Sequence, residues 1–296
     1  MAVSRLALAV IGDEIGPSLP EMISFCAEHG VKRLDMRTVD GRNLLAMTLA
    51  EVAAIADTLK SAGLEVPTFV SPLLKWPAPN KASSNGRVDF AFDPAQCPGQ
   101  DVLAHAFDIA NTLGASHIRA FSHLRYPGFA PRDLHATVER LTAMARERNV
   151  TIELENEPVC NLGSTAELAR FFETLPGATG PSAMGPGAAG PFRPLVDIAN
   201  SYSMGMPPEA ADIASLAPKV DMIHLKDRNL AAKRTVPLGD GDVPWANELE
   251  RLLRDVEAKE VIASIETHCP HDGRNATARS VQSLRRIAGE IGVAMV

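Results

Sequence analysis

The chain has 296 residues, 46% of them hydrophobic and 5% aromatic, and a formal net charge of −7. That length suits two ordinary domains or one large α/β barrel, and the acidic balance argues against a partner held by its phosphate backbone, so no nucleic acid is expected. No run of 18 apolar residues occurs, so no membrane-spanning helix is expected, and four scattered cysteines (Cys26, Cys97, Cys160, Cys269) point to reduced thiols in a cytoplasmic protein.

Strand and helix signals alternate from the start. Residues 6–11 form an apolar run followed by Gly12-Asp13-Glu14, which reads as a first strand and not as a signal peptide with its small-residue cleavage site. Residues 18–29 read as a helix entered through Pro17 and closed by Gly30. A second strand spans 31–36 and ends at Arg37. The helix over 49–62 opens with Thr48 and Glu51 at capping-box spacing. A third strand covers 64–70. The stretch 72–100 that follows is rich in Pro, Asn, Ser and Gly, with Trp76, Phe90 and Phe92 set in it. Loops of that length in a compact domain are usually binding loops or lids.

Helix 101–113, strand 116–121, helix 132–149 and strand 150–155 continue the alternation, and a helix over 165–175 follows. Residues 176–192 are a Gly/Ala/Pro-rich insertion that cannot bury enough apolar surface to offset its ordering entropy. Coming after a helix and before a strand, it belongs on the barrel face away from the chemistry. Strand 195–198, helix 208–217, strand 220–225, helix 245–258, strand 261–266 and helix 276–291 complete the chain. Eight strand–helix units over this length predict a single-domain (β/α)8 TIM barrel spanning 1–296, with an open doubly wound sheet as the alternative. No GxGxxG follows the first strand, which weakens a dinucleotide-binding version of that alternative.

Catalytic groups of such barrels stand at the C-terminal ends of the strands. Those ends supply Arg37, Arg119 or His123, Glu155, Asp197, His224 with Lys226, and Glu266. The run 220–227 is the sharpest case, since an otherwise buried strand ends in His224-Leu225-Lys226-Asp227, and buried charge is costly unless paired or metal-bound. Glu155, Asp197, His224 and Glu266 come from four successive strands and form a metal set. Carboxylate and imidazole donors suit Mn²⁺, Mg²⁺, Co²⁺ or Zn²⁺. Each residue has a plainer reading: a cap or salt-bridge partner for the glutamates, an Asx turn for Asp197, a satisfied core imidazole for His224. Glu153 shares the parity of Glu155 and is the alternative ligand, with Arg119 the arginine expected to pair with one of them. Lys226 faces the same mouth as His224, whereas Asp227, of opposite parity, serves the turn. Gly239-x-Gly241 reads as the turn before the Trp245 helix and not as a phosphate loop.

Leu154-Glu155-Asn156-Glu157, Val196-Asp197-Ile198-Ala199-Asn200, Ile223-His224-Leu225-Lys226-Asp227, Leu238 through Trp245, and Ser264-Ile265-Glu266-Thr267-His268 resemble segments of the xylose isomerase-like TIM-barrel superfamily, in particular its sugar phosphate isomerase/epimerase group. Gly30-Val31 and Asp35-Met36-Arg37 resemble the family's second strand. The resemblance implies a divalent metal on Glu155, Asp197, His224 and Glu266. It also implies that Glu155 and Glu266 exchange protons with a keto-sugar or polyol through a metal-stabilised enediolate. Lys226 then orients a substrate oxygen or pairs with an acid. Arg37, Trp76, Arg119, His123 and His268 are candidate substrate contacts, with loop packing the plainer reading for Trp76 and solvent exposure for His268.

Two other activities share these residues. A lyase, such as a dehydratase of a cyclic polyol or dehydroshikimate-like acid, begins with the same proton abstraction. An endonuclease IV-like phosphodiesterase needs more metals and a basic surface. A sugar-binding barrel without turnover is the non-catalytic reading. The expected partner is a small sugar or polyol, with homo-oligomerisation left open.

Overall fold

The computed structural model describes residues 5–83, 92–94, 101–175 and 190–296. Among these residues eight strands lie parallel: β1 (Arg5–Ile11), β2 (Arg33–Asp35), β3 (Thr68–Leu73), β4 (His117–Ala120), β5 (Thr151–Glu155), β6 (Phe192–Asp197), β7 (Met222–Leu225) and β8 (Glu260–Ile265). Their order in the sheet is β2-β1-β8-β7-β6-β5-β4-β3. The two ends of that series meet where Met36 donates its amide to Thr68 and accepts one from Val70, at 3.0 and 2.9 Å, so the sheet nearly closes on itself. This is the (β/α)8 barrel expected from the strand–helix count.

Eight principal helices surround it: α1 (Leu19–His29), α2 (Leu49–Ser61), α3 (Val102–Leu113), α4 (His135–Arg148), α5 (Thr165–Glu173), α6 (Ala210–Leu216), α7 (Trp245–Arg254) and α8 (Gly273–Glu290). Their starts follow local chemistry. Thr48 and Glu51 form the capping box expected for α2, and Ser164 with Glu167 forms another for α5. Asp101 caps α3 by accepting from Leu103 and Ala104 and lies outside the helix. Helix α7 stops at Arg254, earlier than expected, where its buried face of Trp245, Leu249, Leu252 and Leu253 ends.

Strands β3 and β6 are displaced most from their expected bounds. Strand β3 starts at Thr68 and runs to Leu73, and β6 starts at Phe192 rather than Leu195. Both contain proline (Pro72 and Pro194), which weakens a strand signal in sequence although barrel neighbours hold the backbone extended. The insertion over 176–189, and residues 84–91 and 95–100 of the long loop, lie outside the described residues. Cys26, Cys160 and Cys269 are free thiols, and no described helix is long and apolar enough to cross a membrane.

Most apolar side chains lie between strands and helices, but Ala9, Leu195, Met222 and Ile262 form a small cluster of their own. These residues come from β1, β6, β7 and β8, and all four are buried. They share parity with polar residues at both ends of the barrel, such as Asp197 above Leu195 and His224 above Met222. The cluster is therefore an apolar plug separating an upper polar layer from a lower one.

Candidate metal centre

Glu155 is the last residue of β5 and Asp197 the last of β6. His224 lies on β7 directly opposite Asp197 in the register, and Glu266 follows β8, its amide still bonded to the Leu225 carbonyl at 3.0 Å. Strand geometry alone thus delivers four donors to one end of the barrel. All four side chains are at most 2% exposed, and one donor atom from each lies within 4.8 Å of the others.

The carboxylates are held in a continuous network. Glu155 accepts from Arg119 Nη1 at 3.2 Å with one oxygen and faces His224 Nδ1 at 3.1 Å with the other. Glu266 accepts from the same Arg119 nitrogen at 3.2 Å and from Lys226 Nζ at 2.7 Å. Asp197 accepts from the Asn200 amide at 2.8 Å and from Lys226 Nζ at 2.5 Å, so it caps the short helix Ile198–Ser203 and serves the cluster together. Asn156 fixes that corner by donating to the Asp197 carbonyl and accepting from its amide.

Burial opposes ionisation of Glu155, but His224 and Arg119 hold its carboxyl down at about 2. Burial likewise opposes ionisation of Glu266, and Lys226, His268 and His224 overcome it, holding that carboxyl well below its ordinary range. Burial wins at Asp197, which rises to about 6 despite Lys226. The His224 imidazole, against the effect of burial, is raised to about 9 by Glu155 and Glu266. Burial is outweighed at Lys226 too, where Asp197 and Glu266 raise the ammonium well above its usual range.

Arg37 extends the network outward, with Nε 3.0 Å from Asp13, Nη2 2.9 Å from Glu14 and Nη1 3.5 Å from Glu266. His268, in the left-handed backbone region at φ 49°, places Nε2 3.1 Å from Glu266 and donates its amide to Glu14 at 2.9 Å. Five carboxylates (Asp13, Glu14, Glu155, Asp197, Glu266) thus meet three permanent cations (Arg37, Arg119, Lys226) and the His224 imidazole, which leaves carboxylates in excess. In addition, His224 Nε2 is buried without a hydrogen-bond partner. A hard-to-borderline oxygen–nitrogen donor set gathered within 4.8 Å, with His224 Nδ1 turned to Glu155 and Glu266 and carboxylates in excess, fits a divalent cation.

The structure brings Glu155 rather than Glu153 to His224; Glu153 lies one inward-facing position lower. Arg119 pairs with Glu155, and Asp227 accepts amides of Arg228, Gly239 and Val243, so it shapes the loop before α7. A Cβ on Gly241 would collide with the Asp227 carboxylate, which accounts for that glycine. Trp76 and His123 stand apart. His123 Nδ1 is 3.2 Å from the Trp76 carbonyl, and both line a separate cavity of about 370 Å³. That cavity's lining includes none of the four donors, and the Trp76 ring packs on Phe92 at 6.0 Å. Asp13 and Glu14 are the members the sequence reading missed. They stand at the end of β1, where the strand-end rule that selected Arg37 applies equally.

A profile of the xylose isomerase-like TIM barrel family matches residues 23–287. The chain belongs to that family. No curated protein sequence matches it. Among solved structures, members and relatives of the xylose isomerase-like family share the fold at low identity. A xylose isomerase-like TIM barrel/4-hydroxyphenylpyruvate dioxygenase fusion protein superposes at TM-score 0.72 with 13% identity. The match covers 97% of this chain and 43% of that one, so this chain spans less than half of the fusion protein. D-allulose 3-epimerase from Methylomonas sp. gives 0.66 with 17% identity over 97% of this chain and 100% of that one. The probable 3-DHS dehydratase AsbF from Bacillus anthracis gives 0.65 with 16% identity over 95% and 98%.

Proposed function

We propose that this chain is a divalent-metal-dependent isomerase or epimerase of a keto-sugar or related polyol. The observation that carries the reading is the pair Glu155 and Glu266. Each lends one oxygen to Arg119 at 3.2 Å and turns the other toward His224, at 3.1 and 3.6 Å. Two ionised carboxylates from β5 and the end of β8 thus flank one imidazole at the barrel mouth, which supplies the pair of proton carriers that epimerisation or isomerisation uses.

Glu155, Asp197, His224 and Glu266 would hold a divalent ion, which would supply Lewis acidity toward the substrate. One glutamate then takes the proton from the carbon beside the carbonyl, and the other returns one. Arg119 holds both carboxylates in place and stays beneath them, fully buried. Lys226, within 2.7 Å of Asp197 and Glu266, orients a substrate oxygen. Arg37, clamped by Asp13 and Glu14, and His268, with its side chain 34% exposed beside Glu266, form the outer contacts. Trp76 and His123 enter only as walls of the neighbouring cavity.

The test is metal analysis of the purified protein followed by incubation with ketoses and polyols in D₂O. Deuterium appearing at the carbon beside the carbonyl, dependent on the bound metal, supports the proposal. A conjugated, ultraviolet-absorbing product would mark a lyase instead, and metal-loaded protein that exchanges no proton on any substrate would overturn the enzymatic reading.

A further inference from the structure

The barrel's other end holds a second set of donors, one of them fully buried, that the proposed reaction does not use. His117 opens β4, Glu153 is the third residue of β5, and Asp221 immediately precedes β7. One donor atom from each lies within 4.8 Å of the others. Glu153 is 0% exposed, and neither of its carboxylate oxygens has a hydrogen-bond partner. Asp221 is half-buried; its Oδ2 meets Arg193 Nη1 at 2.7 Å, while its Oδ1 is buried without a partner. Two carboxylates therefore adjoin with one guanidinium between them, and three of their oxygens lack a donor.

His117 completes the set with the right face. Its Nδ1 is 2.8 Å from Ser116 Oγ, and that hydroxyl lies 3.5 Å from the Pro67 carbonyl, to which it donates. The Ser116 hydroxyl holds the ring through Nδ1 and leaves Nε2 facing Asp221, 3.7 Å away. That nitrogen stands where it can share a cation with the two carboxylates. Metal-binding imidazoles are typically fixed in this way through their other ring nitrogen. A cavity of about 690 Å³, lined among others by Asn111, Ser116, His117, Asp221, Glu260 and Ile262, opens onto the group and gives an ion and its waters access.

We infer that His117, Glu153 and Asp221 form a second divalent-cation site, of one nitrogen and two carboxylate ligands completed by water, at the N-terminal mouth of the barrel. The site ties β4, β5 and β7 together beneath the apolar plug. Its role is structural, since its ligands sit at the face of the barrel away from the strand ends that carry the reactive groups. A nitrogen–carboxylate set of this kind takes Zn²⁺ or Co²⁺ readily, and the inference does not depend on the reaction proposed for the upper site.

Zinc titration of chelator-stripped full-length protein, read by calorimetry and by metal content after desalting, tests it. The wild type is expected to bind two ions per chain. An Asp197→Asn/Glu266→Gln variant, disabled at the upper site, is expected to keep one, and adding zinc should raise its Tm by several degrees. His117→Gln in that background, a change at the rim of the cavity, should abolish both the residual ion and the Tm shift, and Glu153→Gln should do the same. Co²⁺ in the upper-disabled protein should show d–d absorption that His117→Gln removes. The inference is overturned if the upper-disabled variant binds no zinc, in which case Glu153 and Asp221 share a proton. It is equally overturned if the retained ion survives His117→Gln.

Discussion

The two ends of the barrel are built from the same strands and differ in how their charges are answered. On β4, Arg119 stands one inward position above His117, and on β5, Glu155 stands one above Glu153; Asp221 lies just before β7, three residues below His224. A step of two residues along a strand is about 6.6 Å, so polar side chains of matching parity fall into distinct layers. At the upper end every oxygen of Glu155, Asp197 and Glu266 has a partner, supplied by Arg119, Lys226, His224 or a backbone amide. At the lower end Glu153 has none. The upper layer is a charged network with every carboxylate oxygen answered, whereas the lower layer leaves the Glu153 oxygens without a hydrogen-bond partner.

The largest expected effect comes from Glu266→Gln. It keeps the shape of the side chain and removes both a ligand charge and a proton carrier. Turnover should fall by about 10³-fold or more, close to 4 kcal/mol of lost transition-state stabilisation, with metal content at the upper site reduced. Full activity with one equivalent of metal retained there would sink the assignment. Lys226→Met comes next. It removes the ammonium that holds Asp197 and Glu266 at 2.5 and 2.7 Å but contributes no metal ligand. We expect kcat to drop by about 10²-fold while metal stoichiometry stays the same or affinity tightens. A parallel loss of metal would make Lys226 a scaffold residue and not a substrate contact.

The plug offers a way to separate the layers by stability alone. Met222→Ala truncates a fully buried side chain against Ala9, Leu195 and Ile262, and should cost about 2–4 kcal/mol through lost burial and the cavity left behind. Chemical denaturation of metal-free protein measures it. A cost under half that range would mean that the two polar layers, not the plug, hold the barrel centre.

A smaller effect belongs to Glu167, a tie on the upper surface that carries no chemistry. It accepts from both Arg125 guanidinium nitrogens at 3.1 and 3.0 Å and from the Gly163 amide at 2.7 Å. Burial works against its charge, yet Arg125 and the Gly163 amide hold its carboxyl below the ordinary range. Because the folded form holds the proton more weakly, this stabilisation is present above the unfolded-chain value and is lost as pH falls through the folded one. Glu167→Gln should therefore cost about 1 kcal/mol at pH 7, in keeping with a half-exposed charge-assisted bond. The difference from wild type should disappear in acid. A constant difference between pH 7 and pH 3 would assign the loss to packing.

The fold was legible because strand ends, glycine stops and capping boxes recur in order, and each reports a local cause. Thr48 with Glu51 and Gly30 at φ 63° act within one turn of chain. The bounds of β3 and β6 were not legible, because Pro72 and Pro194 speak against a strand locally and only their barrel neighbours override that preference. In the site, parity put both Glu153 and Glu155 inside the barrel. Which of them meets His224 depends on the stagger between strands, a non-local quantity that no residue spacing encodes. Asp13 and Glu14 follow the end of β1 and were within reach of the strand-end rule; what the sequence did not carry is their partner, since the short helix Gly12–Ile15 sets them against Arg37.

The smallest expected effect tests which end of the barrel the insertion touches. Helix α5 ends at Glu173, the described chain runs on to Leu175 and resumes at Gly190, and the Pro191 carbonyl accepts from Ile152 at 2.7 Å just before β6 begins. The segment therefore rejoins the barrel two residues before Arg193, which pairs with Asp221 in the lower layer, and a full strand away from Asp197. Replacing residues 178–188 by a short Gly/Ser linker should leave turnover and upper-site metal within about twofold of wild type, since flexible loop length costs little in stability. If the lower layer holds a cation, any change should appear there, as altered zinc retention in the upper-disabled variant. A loss of turnover with folding intact would instead mean that the insertion reaches the reactive end, and the division of the barrel into two independent layers would fail.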